Sequence, residues 1–129
     1  MARPRSSSLT EAELRIMDVI WEKGRASVAD VAEALPKDPP LAYNTVLTTM
    51  RILEDKGYLS HSKRKDARAF VYRPLVGREE ATRKAVRHLV SRFFRGSSEL
   101  LVLNVLKDDD LSQAELARIR KLIAGEGRL

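Results

Sequence analysis

The sequence contains no cysteine, which excludes disulfide bonds, a thiolate nucleophile and cysteine-based zinc or iron–sulfur sites. It also has no apolar run near the roughly 18 residues that a membrane span needs. The longest apolar segment, residues 100–106, is interrupted by Asn104. The basic N-terminus leads into no apolar signal region. We therefore expect a cytoplasmic protein.

Aromatic residues and histidines are scarce. Aromatics make up 5% of the 129 residues, so aliphatic side chains must fill the core. We interpret His61 and His88 as surface or half-buried side chains, with a phosphate contact as the alternative for His61. No carboxylate pair, nucleophile–base set or metal cluster recurs at a useful spacing, so a small hydrolase is not favoured. We expect no catalytic residue, no metal and no cofactor.

Basic residues, by contrast, are in excess. The chain has 24 Lys and Arg against 18 Asp and Glu, which gives a formal net charge of +6. Such a charge suits a polyanionic partner. The length predicts one domain, or two small ones that share a core.

Two helices are predicted before residue 36. Thr10 and Glu13 form a T-x-x-E capping box that opens the first helix, and Gly24 ends it. Ser27 and Asp30 open the second helix in the same way. The apolar face predicted for the first helix consists of Leu14, Met17, Ile20 and Trp21.

A third helix, from about residue 41 to residue 56, follows three prolines and ends at Gly57. Val46, Met50 and Leu53 recur at helical spacing and predict its buried face. The opposite face is polar and carries Tyr43, Asn44, Thr45, Thr48 and Arg51.

After Gly57 the pattern changes to that of a β-hairpin. Residues 58–63 and 69–73 are predicted to form two short strands around a basic turn. Residues 60–73 contain five basic residues against one acidic residue. The hairpin is therefore expected to carry positive charge at its tip.

Three helices followed by a basic hairpin predict a winged helix-turn-helix. In that motif the third helix enters the major groove of duplex DNA and the hairpin lies along the phosphates. Asn, Thr and Arg side chains can hydrogen-bond base edges. We therefore predict base contacts or groove contacts from Tyr43, Asn44, Thr45, Thr48 and Arg51. The predicted phosphate contacts are Lys63, Arg64, Lys65 and Arg68 in the hairpin and Arg3 and Arg5 in the N-terminal arm.

From residue 78 onward the helical pattern returns with more apolar surface than short helices can hide. An exposed apolar stripe usually marks an interface, and a twofold dimer would place two recognition helices on a palindromic site. The alternative is that these helices fold back on the N-terminal part of the same chain. The predicted dimer interface consists of Val86, Leu89, Val90, Phe93, Phe94, Leu116, Ile119 and Ile123.

Several short motifs resemble the penicillinase-repressor family, which includes BlaI, MecI and the copper-responsive CopY branch. The match extends from residue 9 to residue 123. The motifs, in order, are LTEAEL (9–14), IW (20–21), YNTV (43–46), LEDKGYL (53–59), FVYRP (70–74), FFRGS (93–97) and LVLN (101–104).

This resemblance implies a homodimeric transcriptional repressor that binds a palindromic operator. In the antibiotic-responsive members, a membrane sensor-protease detects a β-lactam and the repressor is then cleaved in its dimerisation region. The matching bond here joins Asn104 and Val105, although those members carry an aromatic residue where this chain has Val105. The cysteine motif that binds metal in the CopY branch is absent.

The sequence thus predicts a mostly α protein with a small β-hairpin. Residues 1–8 form a flexible basic arm, residues 9–75 a winged-helix DNA-binding domain, and residues 76–129 a helical dimerisation domain. The alternative function is a winged-helix protein-interaction module that lacks sequence-specific DNA binding.

Overall fold

A computed structural model describes residues 8–63, 69–108 and 110–125. Within them the chain forms six helices and one antiparallel hairpin, which confirms the predicted fold class. The elements are α1 (Glu11–Lys23), α2 (Val28–Ala34), α3 (Tyr43–Asp55), β1 (Leu59–Lys63), β2 (Phe70–Pro74), α4 (Arg78–Phe93), α5 (Ser98–Leu106) and α6 (Gln113–Ile123).

Local signals define where most helices begin and end. Capping boxes begin α1, α2 and α6, each with a Ser or Thr hydroxyl and an acidic side chain that cap each other's backbone N–H groups. Gly24 closes α1 and Gly57 follows α3, both with positive φ that glycine adopts without strain. These boundaries agree with the prediction within a few residues.

The chain divides into two compact units, Met1–Val86 and Arg87–Leu129. The sequence analysis placed the domain boundary eleven residues earlier, between residues 75 and 76. The division falls within α4 because Val76 and Ala81 are buried in the core of the first unit.

The first unit has a continuous apolar core built from α1, α2, α3, the hairpin and the start of α4. Val46, Met50 and Leu53 of α3 are completely buried, as their spacing predicted. Trp21 packs against this core, and its indole N–H donates to the Val76 carbonyl at 2.8 Å. The core therefore fixes both the recognition-helix candidate α3 and the base of the hairpin.

The predicted apolar face of α1 was wrong at Leu14, which is 43% exposed. The buried face consists of Ile16, Met17 and Ile20, and the fourth buried position is occupied by Glu13. Glu13 tolerates burial because its Oε1 lies 2.8 Å from Lys56 Nζ and also accepts from the Thr10 N–H. A satisfied ion pair thus takes the core position that the sequence pattern assigned to leucine.

The second unit has little buried surface. Val90 is the only buried hydrophobic residue in the part of this unit that the structure describes, and neither α5 nor α6 contains a buried residue. No helix in the described ranges is both long enough and apolar enough to span a membrane.

Candidate nucleic-acid interface

Helix α3 presents a polar face opposite its buried one. Tyr43, Asn44, Thr45, Thr48 and Arg51, all predicted as DNA contacts, are exposed. The helix is amphipathic because its apolar residues recur every three or four positions and the residues between them are polar. The whole predicted set is therefore accessible to a ligand.

The structure separates this set into two groups. Tyr43 and Arg51, with Leu47 between them, lie on the side of α3 that faces the hairpin. Asn44 and Thr48 follow each other one turn apart, and neither they nor Thr45 line the space beside the hairpin. We interpret the first group as the border of a groove and the second as the part of α3 that projects away from it.

The groove lies between α3, the start of α2 and the hairpin, and it encloses about 400 Å³. Side chains from all three elements line it. The residues at its border are Ser27, Val28, Ala29, Tyr43, Leu47, Arg51, Glu54, His61, Ala69, Phe70 and Tyr72.

Sequence reasoning missed Leu47, Glu54 and Phe70 as members of this groove. The signal was present for Leu47, since it stands four residues from both Tyr43 and Arg51. It was also present for Phe70, because antiparallel pairing places Lys63 opposite Phe70 and His61 opposite Tyr72. Phe70 is 48% exposed and forms part of the rim.

The base of the hairpin is attached to two helical segments. Tyr72 exchanges two backbone hydrogen bonds with Ala26, which precedes α2, at 2.8 and 2.9 Å. On the other side, the His61 ring contacts the Glu54 carboxylate of α3 and packs against Phe70 and Tyr72. His61 is thus a partly exposed side chain with a defined partner rather than a free surface histidine.

Charges from α3 act on the buried end of this groove. Burial raises the pKa of the Tyr72 phenol, and the nearby Glu54 carboxylate raises it further, whereas the Arg51 guanidinium lowers it. Tyr72 therefore remains a neutral hydroxyl at physiological pH, close to one negative and one positive group.

The hairpin supplies one described member of the predicted basic set. Lys63, at the end of β1, is exposed. Arg64, Lys65 and Arg68 of the turn, and Arg3 and Arg5 of the arm, lie outside the described residues. Their assignment as phosphate contacts remains a prediction.

The second unit and the end of the first carry the predicted interface residues. Val86, Leu89, Phe93 and Ile123 are exposed, and Phe93 and Ile123 are each 72% exposed. Phe94, Leu116 and Ile119 are half-buried.

The predicted interface requires a correction at Val90, because this residue is already buried within one chain and does not belong to an exposed stripe. Further exposed apolar side chains, which the sequence analysis did not include, are Leu100, Val102, Leu103, Val105 and Leu122.

The bond between Asn104 and Val105 lies within α5. The Asn104 side chain donates to the Leu100 carbonyl one turn earlier at 3.2 Å. Both residues are exposed, but their backbone is helical. A protease that requires an extended substrate must therefore first unwind the end of α5.

Comparison with known proteins supports the sequence resemblance. The family model for the penicillinase repressor matches residues 9–125. The penicillinase repressor of Bacillus licheniformis is 30% identical over 115 residues, which cover 89% of this chain and 88% of that protein. The methicillin resistance regulatory protein MecI of Staphylococcus aureus is 28% identical over 115 residues, covering 89% of this chain and 92% of MecI.

A solved structure agrees with the N-terminal architecture. The solution structure of the DNA-binding domain of the repressor BlaI matches with a TM-score of 0.50 and 29% sequence identity. The match covers 60% of this chain and 93% of that domain. Since the family model covers nearly all of the sequence, this chain belongs to the penicillinase-repressor family.

Proposed function

We propose that the protein is a transcriptional repressor that binds a palindromic DNA operator through α3 and the hairpin. The observation that carries the proposal is the exposed polar face of α3 beside the hairpin, in a fold shared with the BlaI DNA-binding domain. The relatives named above are repressors or resistance regulators. The net charge of +6 supplies the general attraction to phosphates.

In this proposal, different exposed residues contact the bases and the phosphates of the DNA. Asn44, Thr45 and Thr48 hydrogen-bond base edges in the major groove. Tyr43 and Arg51 contact the DNA from the border of the groove. Phosphates are held by Lys63 together with Arg64, Lys65 and Arg68 in the hairpin and Arg3 and Arg5 in the arm.

The test begins with selection of duplexes from a random library by the full-length protein. The selected duplex and a scrambled duplex are then titrated by fluorescence anisotropy at several salt concentrations. The logarithm of the association constant should fall by about 0.9 per logarithmic unit of salt for each phosphate contacted. A salt-insensitive affinity, or no affinity for any duplex, would instead favour a protein-interaction module.

Two variants separate base recognition from phosphate contact. Asn44→Ala should reduce the preference for the selected duplex by about 1–3 kcal/mol, because a base contact is lost. Lys63→Ala should weaken both duplexes equally and reduce the salt slope by about one. Equal losses on both duplexes for Asn44→Ala would reassign that side chain to the backbone.

We further propose that the active form is a homodimer. The second unit exposes Leu89, Phe93 and Ile123 and buries little of its own surface. A twofold interface would cover this apolar surface and present two copies of α3 to the two halves of the operator. The alternative, in which the same chain covers it, predicts a monomer in solution.

We also propose that proteolysis by a membrane sensor-protease is the release step. Cleavage between Asn104 and Val105 would separate α6 from the rest of the chain and remove Ile123 from the dimer. A chain that ends at Asn104 should therefore be monomeric by light scattering and bind the selected duplex weakly. A truncated chain that remains dimeric and fully bound would exclude this release step.

A further inference from the structure

His61 of β1 and Glu54 of α3 form a close pair that joins the hairpin to the recognition helix. The His61 Nδ1 atom lies 2.6 Å from Glu54 Oε2 and 2.9 Å from Glu54 Oε1. An ionised carboxylate only accepts hydrogen bonds, so the imidazole donates. The two side chains are 36% and 30% exposed, respectively, so solvent reaches them only in part.

The imidazole ring is held in place by aromatic neighbours. Its centroid lies 4.7 Å from that of Phe70, in an edge-on arrangement, and 5.4 Å from that of Tyr72. Both neighbours belong to β2, whereas Glu54 lies one turn beyond Arg51 on α3. The pair therefore couples the orientation of the hairpin to the helix that carries the predicted base contacts.

We propose that the His61–Glu54 pair positions the hairpin against α3 for DNA binding and makes operator affinity depend on pH. This inference rests on the proposed DNA-binding function. With a protonated imidazole, the pair is an ion pair with no net charge. With a neutral imidazole, the hydrogen bond persists, but the imidazole no longer offsets the negative charge of Glu54, which would repel phosphates bound near the groove.

His61 is the histidine among the residues that line the groove. The other charged and phenolic groups around it are Arg51 and Tyr43 of α3, Lys63 of β1 and Tyr72 of β2. The start of α2 contributes Ser27, Val28 and Ala29 to the groove. Histidine is the side chain that ordinarily changes charge between pH 5 and pH 8.

The expected result is a loss of operator affinity as the pH rises from 6 to 8. Its size should be about two- to fivefold for each protomer bound, which is the range for one partly exposed charge interaction. The measurement uses the full-length protein, the selected duplex and a scrambled duplex at constant salt. Fluorescence anisotropy at several pH values gives the profile.

Two substitutions of His61 separate its charge from its positioning role. His61→Gln keeps a hydrogen-bond donor but cannot titrate, so its affinity should be independent of pH. His61→Phe keeps the aromatic packing but has no donor, so it should be independent of pH and also lose part of the preference for the selected duplex. Circular dichroism and Trp21 fluorescence establish that each variant is folded.

The second histidine provides a matched control. His88 lies on α4 in the other unit, so His88→Gln should retain the wild-type pH profile. A wild-type profile in His61→Gln would overturn the charge role, and wild-type preference in His61→Phe at pH 6 would overturn the positioning role. DNA binding without pH dependence overturns this inference alone, whereas no binding to any duplex overturns the proposed function with it.

Discussion

The capping boxes of α1 and α6 have the same hydrogen bonds but very different surroundings. In α1, the Glu13 side chain is 5% exposed and also pairs with Lys56, 43 residues away in the sequence. In α6, Glu115 is exposed and interacts with its local partner Ser112 and with Arg118, one turn further along. The same local motif thus anchors a helix to a core in the first unit and only begins a helix in the second.

This difference extends to the units as a whole. Buried apolar side chains of the described residues lie almost entirely in the first unit, with Val90 as the exception. Close contacts between elements are concentrated among α1, α2, α3 and the hairpin. The first unit therefore has the features of an independently folding domain, whereas the second exposes apolar surface suited to another chain.

The largest effect is expected from a substitution that breaks the proposed dimer. In Leu89→Glu, an uncompensated charge would enter an apolar interface, which is strongly unfavourable. Operator affinity should fall by about 100- to 10,000-fold, because the second half-site no longer binds as part of the same molecule. Light scattering should report a monomer, and Trp21 fluorescence should show that the first unit remains folded.

Ser91→Glu is the matched control for that substitution. Two residues correspond to about 200° around a helix, so Ser91 lies on a different side of α4 from Leu89. This variant should remain a dimer with wild-type affinity. A monomeric wild-type protein that binds the operator tightly would contradict the dimer.

The next effect concerns the buried pair in the first unit. Lys56→Met leaves the Glu13 carboxylate buried without its partner and should lower the free energy of unfolding by about 3–5 kcal/mol. Asp18→Asn breaks the exposed pair in which Arg78 Nη1 lies 2.7 Å from Asp18 Oδ1, and should cost about 0–1 kcal/mol. Urea unfolding of both variants at pH 7 measures the difference. Similar losses would show that burial does not distinguish the two pairs.

This buried pair also shows where sequence reasoning stopped. Helix starts were predictable because Thr10 and Glu13, like Ser112 and Glu115, lie only three residues apart in the sequence. The position of Glu13 in the core was not predictable, since its partner Lys56, the residue that follows α3, lies 43 residues away in the sequence. A pattern of apolar residues assigns such a position to the nearest leucine, here Leu14, and so misses the ion pair.

The candidate site was also predictable only in part. The polar face of α3 followed from the spacing of Val46, Met50 and Leu53, which fixes the opposite face. The groove beside it did not, because it depends on how the chain turns at Gly57 and brings His61 back to Glu54. Contacts between two elements depend on tertiary geometry. The spacing of apolar residues within one helix carries no information about that geometry.

A smaller effect compares the same substitution in the two units. Leu53→Ala removes a completely buried side chain and should cost about 2–5 kcal/mol in the free energy of unfolding. Leu103 is 41% exposed, so Leu103→Ala should cost less than about 1.5 kcal/mol at the lowest protein concentration. Urea unfolding at several concentrations provides both values. An equally large loss for Leu103→Ala would reveal a core within the second unit.

The smallest effect returns to the capping box of α6. Hydrogen bonds from the Ser112 backbone and hydroxyl lower the pKa of the Glu115 carboxyl, and Arg118 adds to this. A lowered pKa in the folded state means that ionised Glu115 stabilises the start of α6 above the ordinary carboxyl range. This contribution is lost as the pH falls through the folded-state pKa. NMR Cα shifts of Leu116 and Ile119 should therefore move toward coil values at acidic pH. Glu115→Gln keeps a capping side chain that does not titrate, so its shifts should remain nearly constant; unchanged acid sensitivity in that variant would assign the transition to another group.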